Sequence, residues 1–105
     1  MAGREISLLF FETNMKFYKE KYVDKNIVER IFESNEFNSY PWHRDAEDRE
    51  IIVIKSDESW FFQIDNHLPV ALTPGKSIKI PKGQFHRLIM GKGKLVLKII
   101  KADEI

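Results

Sequence analysis

Two of the three histidines in this 105-residue chain stand in surroundings that suit a metal ion. Asp45 follows His43 by two positions and Glu50 comes soon after, while His86 lies in the stretch 83–87. Two imidazoles and one carboxylate form the facial triad of non-haem iron sites, and a second carboxylate would suit Fe(II), Mn(II), Ni(II) or Zn(II). Left unpaired in a core, each such group would cost ~2 kcal/mol or more. We therefore predict a divalent-metal site formed by His43, Asp45, Glu50 and His86.

These side chains can meet only if strands present them to a common interior. Residues two apart on a strand share a face, so we expect His43 to project with Asp45, and Glu50 with Ile52. From residue 37 onward the apolar residues alternate with polar ones, and turn residues separate the runs, as in an antiparallel sandwich or barrel. The alternating apolar positions are Trp60, Phe62, Ile64, Ile78, Ile80, Leu95, Leu97 and Ile99.

The first third of the chain follows another pattern. Asp24 suits a helix N-cap, and the apolar residues after it recur at spacings of three and four, which predicts a helix over 24–34. These residues are Ile27, Val28, Ile31 and Phe32. Because no linker composition separates the parts, we expect one domain over 1–105, with a helical N-terminal segment (1–36) before a β-rich part (37–105).

Composition excludes several classes of function. There are 17 Lys and Arg against 16 Asp and Glu, so the net charge of +1 argues against a nucleic-acid partner. Without cysteine, the chain forms neither disulfides nor zinc ribbons nor iron–sulfur clusters. No apolar run approaches the roughly 20 residues that span a bilayer, so we expect no membrane partner and a cytoplasmic location.

One motif resembles the second signature of the cupin superfamily. That signature is Gly, five residues, Pro, one residue, Gly, two residues, His, three residues, Asn. The chain supplies its first four fixed positions and departs from the last, with Gly75, Pro81, Gly83, His86 and then Met90 in place of Asn. The glycines and the proline also make physical sense as tight turns at the ends of one short strand.

The first cupin signature is matched less fully. His43 and Glu50 stand at its first His and its Glu, whereas Asp45 replaces the second His. The resemblance covers about residues 37–100. It implies a mainly β fold, a small antiparallel β-barrel or jelly roll, with a bound divalent metal (Fe, Mn, Ni or Zn). Dioxygenase and isomerase activities are both found in the superfamily, and a homodimer is common there.

If the chain is an enzyme, its substrate is expected to be small and anionic. We expect Arg44 and Gln63 to position it, and Trp42 and Phe85, beside the metal ligands, to line its pocket. Two other functions remain open from the sequence. The first is a non-catalytic module that binds a small ligand without metal; the second is a structural role, with an interior filled by side chains.

Overall fold

The structure, a computed structural model, describes residues 18–35 and 40–102 of the chain. These stretches contain eight β-strands and no helix, hence none that could span a membrane. In chain order the strands are β1 (Tyr18–Asp24), β2 (Ile27–Glu33), β3 (Arg49–Glu58), β4 (Phe61–Ile64), β5 (Val70–Ala71), β6 (Ser77–Ile80), β7 (His86–Ile89) and β8 (Lys92–Lys101).

The strands form two antiparallel sheets. The larger has the order β1-β2-β8-β3-β6 and the smaller the order β5-β4-β7. Strand β8 is the centre of the larger sheet, with β2 on one side and β3 on the other. The mainly β antiparallel fold predicted from the alternation is therefore confirmed.

The core lies on the inward faces of these strands. Leu95, Leu97 and Ile99 of β8 are buried, as are Ile51 and Val53 of β3. Burying a side chain of this size stabilises the fold by about 1.5–3 kcal/mol. Aromatic side chains fill one end of the core: Phe32, Tyr40 and Trp60 have ring centroids 5.6–6.5 Å apart.

The helix predicted over 24–34 is wrong. Residues 18–33 form a β-hairpin whose second strand, β2, pairs with β8 in the larger sheet. Val28 and Phe32 point into the core, whereas Ile27 and Ile31 lie on the outer face and are half-buried. Val28 and Phe32 are four residues apart on one face of β2, and Ile27 and Ile31 are four apart on the other face. In the sequence, these four positions look the same as one apolar stripe along a helix.

The N-terminal hairpin also changes the boundary expected at residue 36. Because β1 and β2 extend the larger sheet, this sheet begins well before residue 37. The rest of the predicted helical segment, residues 1–17 and residue 36, lies outside the described residues. A helical N-terminal third is therefore replaced by β-structure over residues 18–33.

The chain passes from the smaller sheet to the larger at Gly91, between β7 and β8. A Cβ atom built at this position would overlap the backbone oxygen of Glu58 and approach the Ser59 backbone within 2.6 Å. Close by, the Trp60 indole Nε1–H donates to the Lys92 carbonyl oxygen at 3.2 Å. Position 91 therefore requires a glycine, because a side chain there would collide with the backbone where the chain crosses between the sheets.

Candidate metal centre

The backbone places His43 and His86 directly opposite each other. His43 forms an isolated antiparallel bridge with His86, the first residue of β7. Each amide donates to the other residue's carbonyl oxygen, at 3.0 and 2.9 Å. The two imidazole ring centroids are consequently 4.2 Å apart. Residues 43 positions apart in the chain thus meet at one point.

Hydrogen bonds to the backbone orient both imidazoles. The Nδ1 atom of His86 lies 2.7 Å from the Gln84 carbonyl oxygen, and that of His43 lies 3.3 Å from the Pro41 carbonyl oxygen. A carbonyl oxygen accepts only, so Nδ1 is the donor in each contact, and in the neutral ring the lone pair is then on Nε2. This is the tautomer in which histidine binds a metal, with the second nitrogen anchored by the protein.

Asp45 completes the group. Its Oδ2 atom lies 3.4 Å from His86 Nε2 and its Oδ1 atom lies 3.9 Å from His43 Nε2. One ligand atom from each of the three residues lies within 4.8 Å of the others. The carboxylate and the His86 ring are almost fully buried, whereas the His43 side chain is 50% exposed. The group is thus reachable from solvent on the His43 side.

His86 is held in an uncharged state by its surroundings. Its ring packs against Phe62, with ring centroids 5.4 Å apart. Burial is the main cause that lowers the pKa of His86 below the usual 6.5, and the positive charge of Arg49, with that of His43 whenever its ring is protonated, adds to it. The hydrogen bond to Gln84 and the charge of Asp45 act in the opposite direction. A neutral imidazole at neutral pH is what a metal ligand requires.

Glu50 is not part of the group. On β3 the core face is that of Ile51 and Val53, so Glu50 lies on the outer face. There its carboxylate accepts a hydrogen bond from the Ser77 hydroxyl at 2.6 Å. The structure thus brings together three of the four residues expected from the sequence, His43, Asp45 and His86, and leaves Glu50 on the outer face.

Arg49 occupies the inward position that the sequence interpretation gave to Glu50. Its Nη1 atom lies 3.4 Å from Asp45 Oδ1, and its Nε atom lies 2.6 Å from a carboxylate oxygen of Glu47. The guanidinium is largely buried. The one signal in the sequence for the inward position of Arg49 is its spacing of two from Ile51. Residues two apart on a strand share a face, so Arg49 points inward once Ile51 is known to face the core.

The four residues expected to bind substrate lie outside the group. Arg44 stacks on the Phe85 ring, with its guanidinium carbon 5.0 Å from the ring centroid. Trp42 is covered by the guanidinium of Arg87 at 4.6 Å, and Arg87 Nε also donates to the Gln63 side-chain oxygen at 3.0 Å. Gln63 in turn donates to the backbone oxygen of residue 67. These contacts occupy the polar groups of Gln63 on the face opposite to buried Phe62.

A small cavity adjoins the ligand atoms. Its volume is about 50 Å³, enough for a few water molecules but far below the roughly 300 Å³ at which pockets for drug-sized ligands begin. It is called the inner cavity below. Its lining consists of Arg30, Phe32, His43, Asp45, Arg49, Ile51, Phe62, Ile80, His86, Leu88, Leu97 and Ile99. Apart from the metal-ligand group and two arginines, these side chains are apolar.

In sequence, the chain matches no protein-family model and none of the curated proteins. In structure, it is similar to a cupin-2 domain protein from Shewanella frigidimarina, with a TM-score of 0.60 and 18% identity over 87% of this chain and 86% of the other. A cupin-like protein from Thermotoga maritima has a TM-score of 0.60 and 21% identity over 81% of this chain and 66% of the other.

A third similar structure is the iron(II) form of HppE. It has a TM-score of 0.58 and 12% identity, and the match covers 72% of this chain but 41% of HppE. At identities this low, structural similarity establishes the fold alone. The chain has a cupin-like fold. Inside that fold, His43, Asp45 and His86 form a group that could hold a metal ion.

Proposed function

We propose that this chain binds one divalent transition metal through His43 Nε2, His86 Nε2 and the Asp45 carboxylate. The observation that carries the proposal is the convergence of three ligand atoms within 4.8 Å, with both Nδ1 atoms anchored to backbone carbonyls. Two neutral imidazoles and one carboxylate provide the facial donor set of non-haem iron sites. Fe(II), Mn(II), Ni(II) and Zn(II) all accept such donors.

We further propose that the protein is a metalloenzyme of the dioxygenase or isomerase type, acting on a small anionic substrate. A bound divalent metal would supply Lewis-acid chemistry or oxygen activation. Asp45 and the two imidazoles bring their donor atoms close together, beside the largely apolar inner cavity. Arg49, beside that point, favours a negatively charged substrate.

The dimensions of the site limit the substrate. An inner cavity of about 50 Å³ admits water, a diatomic molecule or a group of a few atoms. The larger part of any organic substrate would therefore remain outside it, and the exposed His43 side offers one way in. This favours a small molecule that inserts one functional group toward the metal.

Metal analysis tests the proposal. Protein purified without chelator, and protein exposed in turn to Fe(II), Mn(II), Ni(II) and Zn(II), would be analysed by inductively coupled plasma mass spectrometry. We expect about one metal ion per chain, lost in folded His43→Ala and His86→Ala variants. His67→Ala is the matched control, since His67 is exposed and its Nδ1 contacts only the local Asp65 carbonyl oxygen. Equal metal content in all four proteins would contradict the proposal.

One observation favours a second function, a metal-free module that binds a small ligand. The Arg49 guanidinium lies beside the Asp45 carboxylate, so the buried negative charge has a partner without any metal. The same experiment separates the two functions. Absence of metal from the purified wild-type protein, with no uptake of any of the four ions, would support the binding module.

A further inference from the structure

Two positive side chains lie directly opposite each other at one end of the larger sheet. Arg49 of β3 is paired in register with Lys101 of β8, next to the inward pair Ile51 and Ile99. By the alternation of the strands, Arg49 and Lys101 therefore share the inward face. Like charges in directly opposite positions on an antiparallel pair destabilise a sheet. Such a pair suggests that an anion binds between the two side chains.

The two arginines near Lys101 have carboxylate partners of their own, whereas Lys101 has none among the described residues. Arg49 has Asp45 and Glu47 as partners, and Arg30 has Glu20. In residues 18–35 and 40–102, by contrast, no carboxylate forms an ion pair with the Lys101 ammonium.

The pKa of Lys101 is consistent with the absence of a paired carboxylate in the described part of the chain. Burial is the largest cause that lowers it, followed by the positive charges of Arg49 and Arg30. Glu20 and Glu47 offset part of the effect from a distance. The ammonium is thus partly desolvated among like charges, which an incoming anion would relieve.

Space for a ligand exists beside this pair. A groove at the ends of β3, β6 and β8, called the strand-end groove, has a volume of about 380 Å³, within the usual range for small-molecule sites. Arg49, Lys79 and Lys101 contribute its positive charges. Two carboxylates also line it, and Asp48 accepts from the Lys82 amide and Glu50 from the Ser77 hydroxyl, so three positive residues face two negative ones.

Arg49 connects this groove to the metal-ligand group. It lines both the strand-end groove and the inner cavity, and it lies 3.4 Å from Asp45. A molecule whose anionic group contacts Arg49 in the groove therefore lies next to the three proposed metal ligands. Guanidinium and ammonium groups bind carboxylates and phosphates through charge-assisted hydrogen bonds.

We propose that the strand-end groove binds the carboxylate or phosphate group of a small organic anion between Arg49 and Lys101. As a description of the substrate class, this rests on the proposed metal-dependent function. The anion site itself rests on the charges and the groove alone. The two can therefore fail separately.

The test is isothermal titration calorimetry of the metal-free protein at low ionic strength, with inorganic phosphate and succinate as the two probes. We expect at least one probe to bind, and Lys101→Met to weaken its binding by about tenfold or more. Lys98→Met is the matched control, since Lys98 lies on the same strand but on the outer face. Whichever probe binds more tightly identifies the group as a phosphate or a carboxylate.

Three outcomes would overturn the inference: no binding of either probe to the wild-type protein, equal weakening in both variants, or unchanged binding in Lys101→Met. Loss of folding does not complicate the test, because removing one of two opposed charges is expected to leave the urea midpoint of Lys101→Met equal or higher. Metal uptake by Lys101→Met separates this site from the proposed function. Anion binding without metal uptake in the wild-type protein would refute the metal function only.

Discussion

The Nη1 atom of Arg49 lies 3.4 Å from Oδ1 of Asp45, and the other oxygen of this carboxylate lies 3.4 Å from His86 Nε2. One buried carboxylate is thus shared between a permanent cation and a neutral imidazole. A metal ion that binds Asp45 must enter beside the Arg49 guanidinium. The positive charge of Arg49 would consequently repel a metal cation bound by His43, Asp45 and His86.

Replacing Arg49 is therefore expected to strengthen metal binding. In Arg49→Gln the repulsion between guanidinium and metal is gone, and the affinity for Mn(II) should rise by about tenfold, equivalent to ~1.4 kcal/mol. Isothermal titration calorimetry with Mn(II) measures this change. Arg44→Gln serves as control, because Arg44 stacks on Phe85 away from the inner cavity. Equal or weaker Mn(II) binding in Arg49→Gln would show that Arg49 supports the ligand set instead.

The two acidic candidates are expected to behave differently. Asp45→Asn removes the only carboxylate in the three-residue group and should abolish stoichiometric metal binding. Glu50→Gln should leave the metal affinity within about twofold, because Glu50 lies on the outer face of β3 and bonds to Ser77. Competition with a chromophoric chelator reports both affinities. Loss of metal binding in Glu50→Gln would show instead that Glu50 is a fourth ligand, as the sequence predicted.

The metal-free protein should lose stability as the pH falls below 6.5. The folded state lowers the pKa of His86 through burial, so below 6.5 the unfolded chain takes up a proton that the folded chain does not. For one group the free energy of unfolding decreases by at most ~1.4 kcal/mol per pH unit, until the folded-state pKa is reached. Urea unfolding in the presence of EDTA from pH 8 to 5.5 measures the slope.

The His86→Gln variant should lack this contribution, whereas His67→Gln should keep it, since His67 is exposed. Identical pH slopes in wild-type and His86→Gln proteins would mean that His86 is as easily protonated in the folded as in the unfolded chain. The Nε2 lone pair would then not be preserved by burial.

The crossing between the sheets should be sensitive to a single methyl group. In Gly91→Ala the new Cβ would overlap backbone atoms of Glu58 and Ser59, which cannot move without disturbing the end of β3. We expect a loss of about 3 kcal/mol or more in the free energy of unfolding. Gly75→Ala, at a positive φ of 90° but in open space, should cost about 1–2 kcal/mol. Denaturant unfolding of both variants gives the comparison, and equal losses would contradict the steric explanation.

The sequence predicted the fold well wherever one face of a strand is polar. On β6 the apolar Ile78 and Ile80 alternate with the polar Ser77 and Lys79, so period two is visible. The hairpin of residues 18–33 could not be recognised in this way, because β2 carries apolar residues on both faces. An outer face that is half-buried at Ile27 and Ile31 removes the polar alternation on which strand prediction depends.

The same ambiguity explains why the sequence placed Glu50 of β3 with the other three residues. Residues 51–54 are all apolar, so the sequence does not say which alternate set faces the core. Taking the face of Ile52 as inward placed Glu50 beside His43, Asp45 and His86, whereas the observed inward face, that of Ile51, places Arg49 there. A shift of one residue exchanges the two faces of a strand. His43, Asp45 and His86 came together as predicted, because the spacing of His43 and Asp45 does not depend on that register.

The coordination shell of the bound metal tests the three-residue site most directly. X-ray absorption at the metal edge of the Mn(II)- or Zn(II)-loaded protein counts imidazole ligands through their outer-ring scattering. We expect two imidazole ligands in the wild-type protein, with oxygen atoms as the remaining ligands. A wild-type spectrum with no imidazole ligands, or with only one, would contradict the convergence of His43 and His86 on a single metal ion.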